Sequence, residues 1–207
     1  RERVYLTLEH QEPDRVPVDF LGHSSLLLDE AYFRLKEYLG IQGDIEPFRE
    51  GSTANYYDER ILEHFDIDFR RLFLPITPAG RIVYKDMNRF ICPWGIIWRK
   101  QGAYIHPEKG PLEGLDKDQA KTYHYPDPER VWHTQGLDEK AKWLYDHTDY
   151  ALVARNPLTY GFLDRACRLR GMEQFMMDMV LNPEFAHHII DNILKVHFQV
   201  YEMFLNA

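Results

Sequence analysis

The sequence predicts an α/β fold in which short strands alternate with amphipathic helices. Three segments have the composition of core strands: residues 16–20, 69–74 and 149–154. Strands separated by helices of this length are typical of βαβ units. A closed parallel barrel needs eight strands and roughly 250 residues, whereas this chain has three such strands in 207 residues. We therefore expect roughly the first half of a (β/α)8 TIM barrel, with an open α/β sheet as the alternative.

Helical apolar spacing predicts the helices in the first third of the chain, over residues 1–11, 29–39 and 59–65. Gly40 follows the second of them and is the residue type that commonly ends a helix. Asp58 is a typical N-cap for the third. Strand 69–74 comes next, and Pro75 ends it because proline has no N–H to donate to a neighbouring strand.

The middle third of the chain departs from the βαβ pattern. Residues 81–85 and 95–99 are short, β-branched and aromatic, with a turn between them, which predicts a β-hairpin insertion. A short helix is predicted over 116–122. A longer amphipathic segment spans 129–147, and we expect Gly136 to interrupt it.

Helices fill most of residues 160–207. The last one has a clear start signal, with Asn182 as the N-cap and Pro183 at the first helical position. One apolar stripe then recurs at three- and four-residue spacing: Phe185, Ile189, Ile193, Val196, Val200 and Phe204. Because this helical pattern continues to the last residues, we expect residues 1–207 to be a single, incomplete domain that supplies the N-terminal part of a larger barrel.

Charge and composition argue against several classes of partner. The chain has 33 acidic and 25 basic side chains, which gives a formal net charge of −8. It has no Lys/Arg cluster, and nucleic-acid binders need a basic stripe. No window approaches the roughly 18 consecutive apolar residues of a membrane span, so we expect no membrane partner and a cytoplasmic location. The two cysteines, Cys92 and Cys167, cannot build a four-cysteine zinc site.

Common catalytic motifs are missing from the sequence. It contains no GxxxxGKS/T, GxGxxG, HExxH or GxSxG motif and no EF-hand loop. These absences argue against nucleoside-triphosphate hydrolysis, dinucleotide cofactors in their common setting, zincin proteolysis and α/β-hydrolase chemistry. The remaining candidates are polar residues at the carboxyl ends of the predicted strands, where a parallel α/β fold binds its ligands.

Two polar clusters follow the first and third predicted strands. After the first, Asp19 is a candidate substrate-binding residue and His23 a candidate catalytic residue, as a general base or a metal ligand. After the third, Arg155 can bind a substrate carboxylate in bidentate geometry. Asn156 and Tyr160 beside it are further candidate substrate-binding residues. The alternatives are a solvated, inert His23 and a structural salt bridge at Arg155. The residues alone predict no metal site.

Several segments spread over nearly the whole chain occur in an informative order and spacing. They are residues 1–4 and 12–18, residues 58–65 with Ile67 and Asp68, Trp94 and Gly95 with Trp98, Tyr104 and residues 111–112, residues 125–128, and residues 170–173 with Asp178 and residues 182–184. Together they resemble the uroporphyrinogen decarboxylase superfamily, which includes the corrinoid-linked methyltransferases. The resemblance implies a (β/α)8 barrel with its site at the C-terminal mouth.

Two positions distinguish the branches of this superfamily. True uroporphyrinogen decarboxylases have an arginine-rich loop after strand one, which binds the propionates, and an aspartate at the end of strand two. Here residues 21–26 read LGHSSL and residues 73–75 read FLP. The chain is therefore more similar to the corrinoid-linked methyltransferase branch. A uroporphyrinogen decarboxylase-type carboxy-lyase is the first alternative, and a non-catalytic small-molecule-binding barrel is the second.

Resemblance to the methyltransferase branch implies a reaction and its partners. The expected reaction moves a methyl group between a small-molecule substrate and a corrinoid protein, so a corrinoid on a partner protein is the expected cofactor. This branch also holds zinc through a His-x-Cys pair and a distant Cys, and these ligands would lie in the later half of the barrel. A homodimer is a further expected assembly.

Overall fold

The structure is a computed structural model of the 207-residue chain, and it describes residues 1–21, 25–158 and 161–207. The fold is mixed α/β, as the sequence predicts. It divides into two compact units. The first consists of Arg1–Leu74, Thr134–Arg155 and Ala207, and the second of Pro75–His133 and Asn156–Asn206. That residues 1–207 form one domain stays a prediction.

Helices and strands alternate only in part along the chain. In the described residues the helices are α1 Glu2–Leu8, α2 Asp29–Tyr38, α3 Glu59–His64, α4 Lys117–Lys121, α5 Pro128–Val131, α6 Leu137–His147, α7 Phe162–Arg170, α8 Met172–Leu181 and α9 Pro183–Leu205, with a short 3-10 helix at Pro78–Gly80. The strands there are β1 Phe69–Phe73, β2 Val83–Tyr84, β3 Arg89–Ile91, β4 Ile97–Gln101, β5 Tyr104–Lys109 and β6 Ala151–Arg155.

The helix boundaries follow local signals in the sequence. The Asp58 carboxylate accepts a hydrogen bond from the Arg60 backbone N–H at 3.1 Å, which confirms the predicted N-cap of α3. Gly136 separates α5 from α6 as predicted, and its φ of +76° is a conformation that favours glycine. Asn182 precedes α9, but its side chain makes no capping hydrogen bond and lies 3.5 Å from Asp178 Oδ1 instead. Asn182 is therefore the N-cap residue of α9 as predicted, although its side chain does not cap the helix.

The first unit contains a two-stranded parallel sheet. Strands β1 and β6 pair in register from Phe69 with Ala151 to Phe73 with Arg155, which confirms two of the three predicted strands. Helix α6 precedes β6 and contacts both strands, as expected for a βαβ crossover. Helices α2 and α3 contribute to a buried cluster that consists of Leu21, Tyr32, Ile61, Leu62 and Ile67.

The predicted strand over residues 16–20 is wrong, since these residues form no strand. Val18 in this segment hydrogen-bonds to Asp68, the residue before β1. Its N–H donates to the Asp68 carboxylate at 2.7 Å, and Asp68 N–H donates to Val18 O at 3.1 Å. Pro17 has no N–H with which to extend a ladder. Val16 is also 79% exposed, so this segment is not the core strand that its composition predicted.

The second unit contains a four-stranded antiparallel sheet in the order β2-β3-β4-β5. Strands β2 and β4 overlap the two predicted strands, but β3 lies between them, so the predicted pairing of these two segments as a hairpin is wrong. Phe90 and Trp98 pair across β3 and β4, and their stacked rings, 6.4 Å apart, lie buried on one face. The β4–β5 register shifts at Ile97 and Trp98, where the facing Pro107 has no N–H to donate.

Helices α7, α8 and α9 pack against one another in the second unit. The predicted apolar stripe of α9 is buried at Phe185, Ile189, Ile193, Val196 and Val200. Buried Arg170, the last residue of α7, bonds to α8 and to the segment before α4. Its Nε donates to Asp178 Oδ2 at 2.7 Å. Its Nη1 donates to the Leu112 and Leu115 carbonyl oxygens at 2.8 and 2.6 Å.

The structure therefore contains one parallel and one antiparallel sheet, and neither closes into a barrel within the described ranges. The predicted (β/α)8 barrel stays a proposal. Among these same residues, no helix has the length and apolar character that crossing a membrane requires.

Candidate functional site

The carboxyl ends of β1 and β6 lie side by side in the first unit. Phe73 is the last residue of β1 and pairs with Arg155, the last residue of β6. Because side chains alternate between the two faces of a strand, Arg71 projects from the same face as Phe73 and Arg155. Parallel α/β folds bind ligands at this end of their strands. The face that carries Arg71, Phe73 and Arg155 is therefore the candidate site.

Arg155 is buried among aromatic rings. Its side chain is 5% exposed, and the guanidinium carbon lies 5.0 Å from the centroid of the Phe48 ring and 5.9 Å from that of Phe73. Burial lowers the pKa of the Arg155 guanidinium, and the positive charge of Arg71 lowers it further. Cation–π contacts with these rings contribute about 0.5 to 2 kcal/mol. Removing an unpaired ion from water costs several kcal/mol, so the rings alone do not offset the cost of burying Arg155.

The hydrogen-bonding edge of Arg155 has no partner in the part of the chain that is described. Nε–H and Nη2–H project from one edge of a guanidinium and match the two oxygens of a carboxylate. Arg3 uses this edge for the Asp14 carboxylate, with both distances at 2.6 Å. Arg60 uses it for Asp58 at 2.9 and 2.7 Å. In Arg155 both atoms are buried, and no described group accepts from them.

Arg71 brings a second positive charge to the site and Asp19 a negative one. The Arg71 Nη2 group forms an ion pair with Asp19 Oδ2. The Arg71 side chain is 10% exposed and that of Asp19 is 35% exposed. The Tyr57 hydroxyl accepts a hydrogen bond from the Arg71 backbone N–H at 2.9 Å, which holds Tyr57 against β1. Asp19 thus neutralises Arg71, and the charge of Arg155 remains.

Aromatic side chains surround the two arginines. The Phe48 and Phe73 rings lie 4.6 Å apart, and the Tyr57 ring packs edge-on against Phe73 at 5.0 Å. Phe73 comes from β1, whereas Phe48 and Tyr57 come from the segment between α2 and α3. The surroundings of the Arg155 guanidinium are therefore largely apolar, which strengthens its attraction for an anion.

The opposite ends of the same strands show a different charge balance. A pocket of about 530 Å³ lies there, lined by Arg3, Asp14, Asp66 and Asp68 among others. Arg3 pairs with Asp14 and Asp68, and Arg15 pairs with Asp66 and Asp68. Arg3 and Arg15 at the amino ends thus have carboxylate partners from the chain itself. Residues at this end of parallel strands usually serve stability rather than ligand binding.

The structure places some of the predicted site residues and not others. Asp19 and Arg155 both interact with Arg71 in the first unit. Asn156 belongs to the second unit, where its amide donates to the Tyr201 hydroxyl at 3.1 Å and its oxygen accepts from Leu158 N–H at 2.8 Å. The predictions for His23 and Tyr160 lie outside the described residues, so the catalytic role of His23 and the binding role of Tyr160 stay predictions.

Sequence reasoning missed Arg71, Phe48 and Tyr57. Arg71 lies in the middle of a predicted strand, whereas the candidates lie at or after the strand ends. The signal for it is the pair Arg70 and Arg71 within an apolar strand, since alternation places one charge on each face and a buried charge needs a partner. Phe48 lies in a polar segment without periodicity, so nothing in the sequence pattern identifies it.

Clustered metal ligands are absent from the described part of the chain. In residues 1–21, 25–158 and 161–207, no group of three or more His, Cys, Asp or Glu side chains is placed to hold a metal ion. The sequence also contains no His-x-Cys pair. The zinc ligands that the resemblance implies would lie in the later half of the barrel, so zinc stays a prediction and we derive no chemical step through it.

Comparison with protein-family models, with curated proteins and with solved structures found no match for this chain. The resemblance to the uroporphyrinogen decarboxylase superfamily therefore rests on the sequence segments alone. The geometry of the Arg155 site stands independently of that resemblance.

Proposed function

We propose that this chain binds the anionic group of a small-molecule substrate through Arg155. The observation that supports this proposal is the buried Nε–Nη2 edge of Arg155, which no group in the described residues satisfies. Buried polar groups in native proteins almost always have hydrogen-bond partners, and an exception at the carboxyl end of a parallel strand calls for a ligand. A carboxylate or similar oxyanion has the matching geometry.

We further propose that the chain is part of an enzyme of the uroporphyrinogen decarboxylase superfamily. In this proposal β1 and β6 are neighbouring strands of a (β/α)8 barrel, and Arg155 faces its C-terminal mouth. The parallel pairing of these strands and the contact of α6 with both of them support the proposal. The antiparallel sheet between them in the sequence would be an insertion.

Within that superfamily, the proposed reaction is methyl transfer between the small-molecule substrate and a corrinoid carried by a partner protein. The residues described here would bind and orient the substrate. Arg155 would hold its anionic group, and Phe48 and Phe73 would exclude water from that contact, since they flank the guanidinium. A fixed anionic group restricts the rotation of the substrate, which favours transfer.

Binding is tested first by calorimetry with simple anions. Acetate, benzoate and sulfate are titrated into the wild-type chain, Arg155→Ala and Arg34→Ala. Arg34 is a control because its side chain is 77% exposed and pairs with Glu30. We expect saturable benzoate binding that Arg155→Ala weakens by about 1.5 to 3 kcal/mol, or about 10- to 150-fold, as for a charge-assisted hydrogen bond. Equal affinity in Arg155→Ala and wild type would contradict the proposal.

The reaction is tested separately. The full-length enzyme is incubated with methylcobalamin and a panel of small-molecule methyl acceptors, and loss of the methylcobalamin absorbance is followed. Acceptor-dependent loss that Arg155→Ala slows is the expected result. A parallel incubation with uroporphyrinogen should yield no coproporphyrinogen. Coproporphyrinogen formation would contradict methyl transfer and support the decarboxylase alternative.

A further inference from the structure

We propose that Asp19 determines the charge selectivity of the Arg155 site and restricts it to anions with a single negative charge. This inference rests on the proposed function, since it requires Arg155 to bind the anionic group of the substrate. It goes further because it assigns a role to Asp19 and limits the class of substrate.

The argument begins with the number of charges at the site. Two guanidinium groups, those of Arg71 and Arg155, project from one face of the strand pair. The ion pair with Asp19 neutralises the first of them. Of these two strand residues, Arg155 keeps an unbalanced positive charge, which one negative charge on a ligand balances. A third guanidinium, that of Arg49, lies 5.2 Å from the Phe48 centroid and donates to the Ala54 carbonyl oxygen at 2.8 Å.

Burial strengthens the electrostatic interactions that depend on this charge balance. The side chains of Arg155 and Arg71 are 5% and 10% exposed, so water screens their interactions weakly. A second negative charge on the ligand would approach the Asp19 carboxylate, whose side chain is 35% exposed, and like charges brought together repel. Arg71 Nε is buried without a described hydrogen-bond partner, but the Asp19 carboxylate already balances the charge of Arg71, so a second negative charge on the ligand gains no net attraction there.

The geometry of Arg155 agrees with a single carboxylate. Its Nε–Nη2 edge offers two parallel donors, which two oxygens of one group can fill. The rings of Phe48 and Phe73 lie on the guanidinium at 5.0 and 5.9 Å, so the part of the ligand next to its carboxylate meets apolar surface. The favoured ligand is therefore a monoanion whose carboxylate is attached to an apolar body.

The test compares two probes that share a ring and differ in charge. Benzoate carries one carboxylate and phthalate carries two. Affinities for both are measured by calorimetry at neutral pH in wild type, Asp19→Asn, Asp19→Glu and Glu30→Gln. Glu30→Gln is the matched control, because it also removes one negative charge from the first unit and its side chain is 72% exposed. Circular dichroism checks that each variant is folded.

We expect wild type to prefer benzoate over phthalate, and Asp19→Asn to shift that preference toward phthalate by about tenfold or more, since like-charge repulsion is removed. Asp19→Glu and Glu30→Gln should keep the wild-type preference. An unchanged preference in folded Asp19→Asn would overturn the role of Asp19 while leaving anion binding intact. Absence of benzoate binding in wild type, or its persistence in Arg155→Ala, would instead overturn the proposed function and this inference with it.

Discussion

Arg155 pairs with Phe73 across the parallel strands, and its guanidinium carbon lies 5.9 Å from the centroid of the Phe73 ring. Strand pairing therefore fixes both the cation and one of the rings that cover it. A side chain held in this way loses little further rotamer freedom when a ligand binds, which favours affinity. The unsatisfied edge of Arg155 is presented by rigid elements rather than by a mobile loop.

Replacing Arg155 with methionine should leave the unligated protein as stable as wild type or more stable, by up to about 2 kcal/mol, because a buried charge without a partner is removed. The matched variant is Arg170→Met, since Arg170 is equally buried but bonds to Asp178 and two carbonyl oxygens. That variant should lose about 3 to 5 kcal/mol. Urea unfolding measures both. A loss above about 1 kcal/mol in Arg155→Met would show that Arg155 has structural bonds.

Replacing Asp68 with asparagine should lower the free energy of unfolding by about 2 kcal/mol, because this buried carboxylate accepts from Arg3, Arg15 and Val18 N–H. Burial alone would raise the pKa of Asp68, but those hydrogen bonds outweigh it and lower the pKa. The stabilisation is therefore present above the usual pKa of 3.8 and is lost as the pH falls through the lowered value.

The control for this prediction is Asp66→Asn. Asp66 also pairs with Arg15, but its side chain is 86% exposed, so its loss should cost about 0.5 kcal/mol. Thermal unfolding at pH 7 and pH 3 compares the two variants. Equal losses at pH 7 would contradict the special role of Asp68.

The second unit should become less stable as the pH falls from about 7 to 5. Burial of His197, with a contribution from Arg165, lowers its pKa below the usual 6.5. Below pH 6.5 the unfolded chain therefore binds a proton that the folded chain does not, and the free energy of unfolding falls. His197→Phe should reduce this dependence, whereas His187→Gln, at an exposed position of α9, should keep it. Identical pH profiles for wild type and His197→Phe would contradict the prediction.

Gly110→Ala should destabilise the second unit by about 1 to 3 kcal/mol through overpacking. A Cβ added there would lie 2.2 Å from the Leu169 carbonyl oxygen and 2.5 Å from that of Arg168, and neither backbone atom can move freely. Gly161→Ala is the comparison, since no described atom lies within 4 Å of the added carbon, and it should cost at most about 1 kcal/mol as a changed N-cap. The midpoint of urea unfolding should separate the two variants.

The sequence predicts the elements whose signals are local. Strand 149–154 is largely apolar, and strand 69–74 is apolar apart from Arg70 and Arg71. Both occur close to their expected bounds. Residues 16–20 give a similar signal and yet form no strand, because Pro17 and the exposed Val16 prevent regular pairing. β3 lies between the two strands of the predicted hairpin and β5 follows them. They are short or contain charged residues and a proline, so their composition gives a weak strand signal.

The candidate site was predictable only in part. Position at the end of a strand identifies Asp19 and Arg155 as candidates from sequence. The charge balance at Arg155 is a tertiary property, because it depends on which partner Arg71 takes and on how Phe48 returns from a distant loop to cover the guanidinium. No spacing rule connects those residues.

Strands β1 and β6 are paired although about eighty residues separate them along the chain. Bringing distant segments together carries a larger loop-closure cost than forming a hairpin, and it slows folding. On the ribosome, β1 emerges long before its parallel partner exists, whereas the antiparallel strands can pair with one another as they emerge. Because Arg155 is the last residue of β6, its aromatic surroundings can be assembled only after this late pairing. The parallel pair is thus the step during synthesis at which a chaperone, or a competing strand, has the longest time to act.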